Sequence, residues 1–466
     1  MQAAHATREA MSGIDLAWLR MERPTNPMTI VGVITLRGRI HIDAVRSLFE
    51  ERLLRFARFR QLPVHEALGS YWCEDAHFDL EAHVRSLSLP SGAAQAQLEA
   101  AVSELASTQL DPRHPLWQVH VVERYSRGSA LVLRFHHCYA DGVALLRVLL
   151  TLTDCHVKRG VRHRSGKPSV SRSWFDQIPL VGTAGAVTSA VTHAASDLVS
   201  ASLHAIVHPL ESLNMAAQIA SATRELATIA LFENDPPTSL RGALSTHKQV
   251  AWADPISLAE VKTMGKALGC TVNDVLIASI AGALGGYLRN QHPKHEAVTI
   301  RALVPVNLRG PSDDPQLGNR FGLVFVHLPL GEPNPIARVQ AVHRDMETLK
   351  ASAQPLVGLW LLTALGSLPG AIEHHAVDLL TDKATVVISN VPGPQTAIHL
   401  AGARIDRQFF WVPQAGHIGI GVSMLTYDGQ VHFGLMADRN LIPRPAQVAR
   451  TFTREFEKLL LCTVMS

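Results

Sequence analysis

Leu131-Val132-Leu133-Arg134-Phe135-His136-His137-Cys138-Tyr139-Ala140-Asp141-Gly142 decides how the chain is read: an apolar run of β type ends in two histidines, a carboxylate and a glycine. Residues 129–135 read as a buried strand and residues 143–150, Val-Ala-Leu-Leu-Arg-Val-Leu-Leu, as a helix, so the histidines fall at a strand-to-helix junction. Junctions of this kind present side chains from rigid elements. A neutral imidazole, with an ordinary pKa of about 6.5, accepts a proton near neutral pH and returns it. In a chain with 24 histidines a single one carries little weight. The adjacent pair, followed by Asp141 and Gly142, makes this junction the candidate site of acid–base chemistry.

The chain is 466 residues long, 47% hydrophobic and 18% charged, enough to bury a large core and too much for one ordinary domain, so two domains are expected. A net charge of +3, with no block of lysine or arginine, speaks against a nucleic-acid partner. The five cysteines are scattered, odd in number and free of any C-x-x-C pair, which argues against a disulfide framework or a zinc site and fits a reducing, cytoplasmic compartment. Residues 1–11 have no apolar core, so no secretory signal is expected there. No uninterrupted apolar run reaches the roughly 18 residues that would span a bilayer. The expectation is a soluble or peripheral protein.

Working outward, residues 13–22 have the spacing of a short amphipathic helix, followed by the breaker Arg23-Pro24-Thr25-Asn26-Pro27 and a strand over 28–36. Residues 42–56 and 93–110 read as helices, the second stopped by Pro112 and Pro115. A strand over 118–124 turns at Ser126-Arg127-Gly128 into the motif strand, which is hairpin logic. Trp117, at the start of that strand, suits a core position as readily as a substrate contact. Residues 155–173 are basic and polar, and residues 182–232 are Ala-rich with helical spacing, the expected connection between domains. Its helices either pack on the domains or lie at a lipid interface.

The second half opens with a strand over 248–252 and helices over 256–267 and 270–287, with Thr271 as N-cap and Asp274 near the positive end of the helix dipole. Strands over 298–307 and 321–330 precede helices over 333–351 and 356–380. Strands over 385–388, 403–412, 418–426 and 430–436 follow, the last three as an antiparallel meander turning at Tyr427-Asp428-Gly429-Gln430, and a helix over 446–461 closes the chain. Ala281-Gly282-Ala283-Leu284-Gly285-Gly286 lies late in a helix rather than in a strand-to-helix turn, so it is no dinucleotide fingerprint. Glu373-His374-His375-Ala376-Val377-Asp378 mimics the central motif but lies in a helix and lacks the glycine; it reads as a surface or packing face. There is no G-x-S-x-G elbow and no H-E-x-x-H helix, which disfavours a serine hydrolase and a zinc peptidase.

Six short stretches occur in one order: Pro115-Leu116-Trp117, His136-His137-x-x-x-Asp141-Gly142, Asn273-Asp274, Asn307-Leu308-Arg309, Gly318-Asn319-Arg320-Phe321 and Ser389-Asn390-Val391-Pro392-Gly393-Pro394. Together with an opening Asp15, Trp18-Leu19 and Pro27-Met28, they resemble the wax ester synthase/diacylglycerol acyltransferase family, a branch of the acyltransferases built like chloramphenicol acetyltransferase. Thr29 departs from the pattern, standing where many relatives carry histidine; the change touches substrate entry more than chemistry.

The resemblance implies an α/β (α+β) fold of two chloramphenicol acetyltransferase-like domains, each a mixed β-sheet packed with helices and joined by a long helical linker. Their expected bounds are 1–160, 161–245 for the linker and 246–466. It implies a tunnel between the domains in which acyl-CoA meets a long-chain alcohol or diacylglycerol, with His137 as general base and His136 shaping the site. Asp141 would turn away and pair with Arg309 while Gly142 admits the substrate. Asn273, Asp274, Pro115, Trp117, Asn307, Ser389 and Asn390 would contact substrate. Neither a metal nor a redox cofactor is needed, and the modest positive charge allows attraction to acidic lipid or CoA phosphates. Peripheral contact with the inner membrane or lipid inclusions follows from the substrates. The competing reading is a condensation-type or non-catalytic relative of the same superfamily.

Overall fold

The computed structural model describes residues 8–66, 69–154, 224–291, 298–308 and 317–465, apart from 226, 230, 351, 367 and 369. Two sheets organise it. The first runs His399–Leu400, Ala403–Trp411, Thr29–Arg37, Gly128–His136, Trp117–Tyr125, Val84–Ser86, antiparallel except for the last pair. The motif strand Gly128–His136 is buried along its whole length because both faces of this sheet are covered. Leu131, Leu133 and Phe135 enter the core that also holds Trp117 and Tyr139, while Ala130 and Val132 face a smaller core built with Leu98 and Val102 of the helix Gln95–Ala106. This is why the run is continuous rather than alternating. Its hairpin turns at Ser126-Arg127, with Ser126 at φ 52°, and a side chain at Gly128 would collide with the backbone of Leu36.

The second sheet is mixed, ordered Phe321–Pro329, Thr299–Asn307, Val386–Pro392, Ile420–Tyr427, Gln430–Asp438, Lys248–Trp252, with Ile256–Ser257 beside Gln430–Asp438. The helices Val272–Gln291, Pro335–Lys350 and Pro445–Met465 pack on it around the largest core, with Val275, Ile280, Val339 and Phe452 at its centre. Asp428 (φ 47°) and Gly429 (φ 73°) form the two-residue turn expected between its last two hairpin strands.

Three sequence expectations need correction. The strand over 403–412 is not part of the second-sheet meander: Ala403–Trp411 crosses to pair with Thr29–Arg37 and completes the first sheet. Alternating apolar residues state that a strand exists but not which sheet it joins. The helix over 356–380 is two helices, Gln354–Leu365 and Gly370–Thr381, divided at Gly366, where a side chain would run into the backbone of Gly13. Ser389-Asn390-Val391 lies inside the strand Val386–Pro392 rather than in a loop beyond it. The Ala-rich linker expected over 182–232 lies almost wholly outside the described residues.

Candidate active site

At the end of the motif strand the ladder runs one residue past its edge. The His136 N–H donates to the Leu116 carbonyl (2.9 Å) and the His137 N–H to the Met28 carbonyl (2.7 Å), so neighbours on both sides fix the two histidines. The Tyr139 N–H then turns back onto the His136 carbonyl at 3.1 Å. The Tyr139 hydroxyl donates to the Gln61 carbonyl (2.6 Å) and accepts the Leu116 N–H (2.9 Å), anchoring the turn in the core.

The His137 ring is buried against the indole of Trp18, with centroids 3.8 Å apart and planes inclined by 21°, and Phe321 closes a second side at 5.8 Å. Trp18 belongs to the helix Gly13–Arg20, capped by the Ser12 hydroxyl on the Asp15 N–H at 3.2 Å. From the other half, the Asn319 side-chain amide donates to both the His137 carbonyl and Asp15 Oδ1, each at 2.9 Å. Burial pushes His137 down to about 4, leaving the imidazole neutral at physiological pH. The Trp18 indole N–H, His137 Nδ1 and Asn319 Oδ1 are all buried without a hydrogen-bond partner.

His136 is wholly buried and points elsewhere. Its Nδ1 accepts the Cys138 N–H at 3.2 Å, so in the neutral ring the proton sits on Nε2, 3.6 Å from Glu22 Oε2. The first histidine braces the turn.

Asp141 caps the helix Gly142–Thr151: Oδ1 accepts the Val143 and Ala144 N–H groups at 3.1 and 3.0 Å, and Oδ2 accepts the Arg320 N–H at 3.0 Å. A parallel bridge between Ala140 and Gly318 continues the same tie between the halves. The carboxylate thus serves backbone groups while His137 Nδ1 goes without it. Arg309, the expected partner of Asp141, lies outside the described residues. Gly142 has ordinary helical geometry, and a side-chain carbon there would rest 3.8 Å from Val391, so packing within the protein does not demand glycine.

The remaining candidates divide. The Asn390 side-chain amide donates to Asn273 Oδ1, and the neighbouring Val391 faces Gly142, which brings the Asn-Asp and Ser-Asn-Val stretches to the motif helix. Ser389 is buried on the same strand, and Asn307 is half-buried at the end of Thr299–Asn307, opposite Phe321. The Asp274 carboxylate accepts the Thr271 N–H (2.8 Å) and meets His343 Nδ1 (2.7 Å), closing a reciprocal cap with Thr271 Oγ1 at the helix start where its sequence position put it. Trp117 is a core residue. It is fully buried, its indole N–H donates to the Phe59 carbonyl at 2.8 Å and it stacks on His83 at 4.4 Å, with Pro115 buried beside it. Among the described residues, Cys270, Asp274 and His343 bring ligand atoms within 4.8 Å of one another. The Asp274 oxygen there is already hydrogen-bonded, and burial pushes the Cys270 thiol up to about 11, so this group is poorly suited to a cation.

Comparison with known proteins meets this geometry at the family level. The model of the wax ester synthase/diacylglycerol acyltransferase catalytic domain matches residues 11–276, and that of the WS/DGAT C-terminal domain matches residues 317–460. The chain belongs to the wax ester synthase/diacylglycerol acyltransferase family. A Mycobacterium tuberculosis H37Rv protein named "Probable diacyglycerol O-acyltransferase tgs1" is 29% identical over 424 residues, covering 88% of this chain and 86% of that protein. The O-acyltransferase WSD of Acinetobacter baylyi is 24% identical over 445 residues, 92% of each chain. Among solved structures, the wax ester synthase/diacylglycerol acyltransferase of Marinobacter aquaeolei VT8 matches with a TM-score of 0.67 at 23% identity, over 98% of this chain and 100% of that one. A starter condensation domain of rhizomide synthetase, in complex with C8-CoA, matches with a TM-score of 0.55 at 14% identity, over 98% of this chain and 95% of that one. The two-domain fold is therefore that of the chloramphenicol acetyltransferase-like acyltransferases.

Proposed function

We propose that this O-acyltransferase moves a fatty acyl group from acyl-CoA to the hydroxyl of a long-chain alcohol or a diacylglycerol, giving wax ester or triacylglycerol, with His137 as general base. The observation that carries the reading is the neutral, buried imidazole of His137, stacked on Trp18 and held from the opposite half by Asn319. Nε2 takes the hydroxyl proton as the oxygen bonds the thioester carbonyl carbon. The C–S bond then breaks, the proton passes to the departing sulfur, CoA leaves as a thiol and the imidazole ends neutral. General-base help of this sort contributes about 10²- to 10⁴-fold. Asn273 Oδ1 is occupied by Asn390, which leaves its amide hydrogens to donate to charge developing on the carbonyl oxygen.

A fatty alcohol or diacylglycerol resides in lipid, so the reading includes peripheral contact with a membrane or lipid inclusion. Ile372 and Leu379 support it, lying exposed on one face of the helix Gly370–Thr381 at i, i+7 spacing. Among the described residues no single helix is long and apolar enough to cross a membrane.

The test is turnover of labelled palmitoyl-CoA with hexadecanol or dipalmitoylglycerol in turn. Wild-type protein forms ester with at least one acceptor, and His137→Ala, still folded by circular dichroism, loses at least about two orders of magnitude. Ester formed at the wild-type rate by folded His137→Ala removes the base assignment; no ester with any acceptor favours the condensation-type or non-catalytic reading.

A further inference from the structure

An imidazole that acts as a base becomes an imidazolium, and in a Ser-His-Asp triad a carboxylate bonded to its far nitrogen stabilises that charge. His137 has no such neighbour. Its Nδ1 is buried without a hydrogen-bond partner, Asp15 is bonded to Asn319, and the Asp141 carboxylate is engaged by the Val143, Ala144 and Arg320 N–H groups and acts on the ring through space. Burial outweighs the pull of Asp141 and of the neighbouring polar groups and holds the ring at about 4. Proton transfer through His137 therefore calls for a further group that favours the charged ring while the proton is on it.

The group lying against the ring is the indole of Trp18, with centroids 3.8 Å apart and planes inclined by 21°. Two neutral aromatic rings prefer an offset that separates their centroids by about 4.5–7 Å, because their π faces repel. A nearly superposed pair suits a cation over a π face, for which indole is the best of the aromatic side chains, and the attraction grows where water is excluded. Both side chains are buried. The Trp18 N–H is buried without a partner, whereas that of Trp117 is anchored on the Phe59 carbonyl, so no hydrogen bond sets the place of the Trp18 ring and what it presents to His137 is its face. The helix that carries it is held at several points. The Ser12 hydroxyl caps its start, Asp15 is bonded to Asn319, the Arg20 guanidinium donates to the Gly366 and Leu368 carbonyls at 3.4 and 3.0 Å, and the Arg20 carbonyl meets His374 Nε2 at 2.8 Å. The π face is thus in place before the charge appears and needs no reorganisation when it does.

We propose that Trp18 is a positioning residue of the reaction, its indole face stabilising the imidazolium that His137 becomes while it holds the hydroxyl proton. The inference rests on the acyl-transfer reading above, in which the O–C bond forms and the C–S bond breaks as the proton passes from the hydroxyl through the ring to sulfur. It adds the group that favours the ring in its charged stage. Trp18 acts through His137 and touches no substrate atom. Because the ring is neutral before and after the transfer, the effect falls on the rate of the chemical step and not on substrate affinity.

The experiment puts mono-, di- and trifluorinated tryptophan in place of Trp18 alone, in the full-length protein, and measures the single-turnover rate with saturating palmitoyl-CoA and an accepted alcohol. Fluorine withdraws electron density from the π face and leaves the shape of the ring nearly unchanged. The rate falls stepwise with each fluorine, reaching at least about fivefold with three, while both KM values and the melting temperature stay with the wild type. Trp18→Phe, which keeps a weaker π face, and Trp18→Leu, which keeps apolar bulk without one, give the same order in the same assay. The loss is smaller in the first and at least about tenfold in the second. A rate that fluorination leaves unchanged, as expected of an indole that only packs, overturns the proposal, as does a fluorine series that moves KM alone or a folded Trp18→Leu as fast as Trp18→Phe. Wild-type protein that forms no ester, or folded His137→Ala at the wild-type rate, overturns the acyl-transfer reading instead.

Discussion

Replacing Asp141 with alanine tests what its carboxylate does at the motif turn. The side chain accepts two N–H groups of the helix Gly142–Thr151 and the N–H of Arg320 from the other half. Losing an N-cap costs about 1–2 kcal/mol, and losing the acceptor of a part-buried N–H costs about 1 kcal/mol more. The sum, roughly 2–3 kcal/mol, lowers the melting temperature of a domain of this size by on the order of 5 °C. Activity measured well below that melt also falls, because the same turn carries His137. Asp141→Asn separates the two roles: its carbonyl oxygen still accepts the Val143 and Ala144 N–H groups while its amide faces the Arg320 N–H as a second donor, so it keeps the capping share of the stability, loses the Arg320 contact and keeps a large part of the activity. An orienting carboxylate in a triad would give the reverse, a stable Asp141→Asn protein as inactive as His137→Ala. The measurement is a melt by circular dichroism beside kcat for each variant. An Asp141→Ala protein that melts with the wild type refutes the capping argument. If Arg309 pairs with Asp141 as the family resemblance implies, Arg309→Ala also lowers the melt and adds little in the double mutant.

Two further expectations concern buried titratable groups. His120, His137 and His432 are each pushed down to about 4 by burial, whereas in the unfolded chain they take up protons near 6.5. Stability therefore falls as pH drops from about 6.5 toward 4, by up to about 1.4 kcal/mol per pH unit for each histidine, and urea midpoints at pH 7.5 and 5.5 should differ accordingly; equal midpoints contradict the burial argument. Glu373 is fully buried with neither carboxyl oxygen hydrogen-bonded, and burial raises it to about 7. A carboxyl with a raised folded pKa favours folding below the unfolded value and loses that advantage as pH rises through 7, so Glu373→Gln should be more stable than wild type at pH 8 and not at pH 4. A melt at pH 8 no higher than wild type contradicts it.

The motif strand and helix were legible because their chemistry is local: a buried apolar run, a helical run and a capping aspartate between them require no knowledge of the rest of the chain. The surroundings of His137 were not. Trp18 appeared in an amphipathic helix and in the Trp-Leu pair of the family resemblance, and nothing in its spacing says that its ring covers an imidazole more than a hundred residues away. Asn319 stood out in the Gly-Asn stretch, yet its reach to Asp15 and His137 depends on how the two halves meet. Trp117 illustrates the opposite failure. A tryptophan at a strand start fits a core and a substrate wall equally well until its N–H is seen donating to the Phe59 carbonyl. Asp274 stood at a helix N-terminus, and its capping role followed from that position, whereas its pairing with His343 required the helix packing.

The crossing strand Ala403–Trp411 sets a schedule for synthesis. Its partner, Thr29–Arg37, ends 366 residues before Ala403 begins, so at the usual 5–20 residues per second the ribosome takes roughly 20–70 s to deliver it. Throughout that interval the motif strand can pair on its own side of Thr29–Arg37, but the opposite edge stays open, apolar and able to recruit another nascent chain. A truncation anywhere before residue 403 makes that temporary exposure permanent. The first domain is therefore the part made earliest and among the last to be finished, and aggregation of C-terminally shortened chains should begin at this edge.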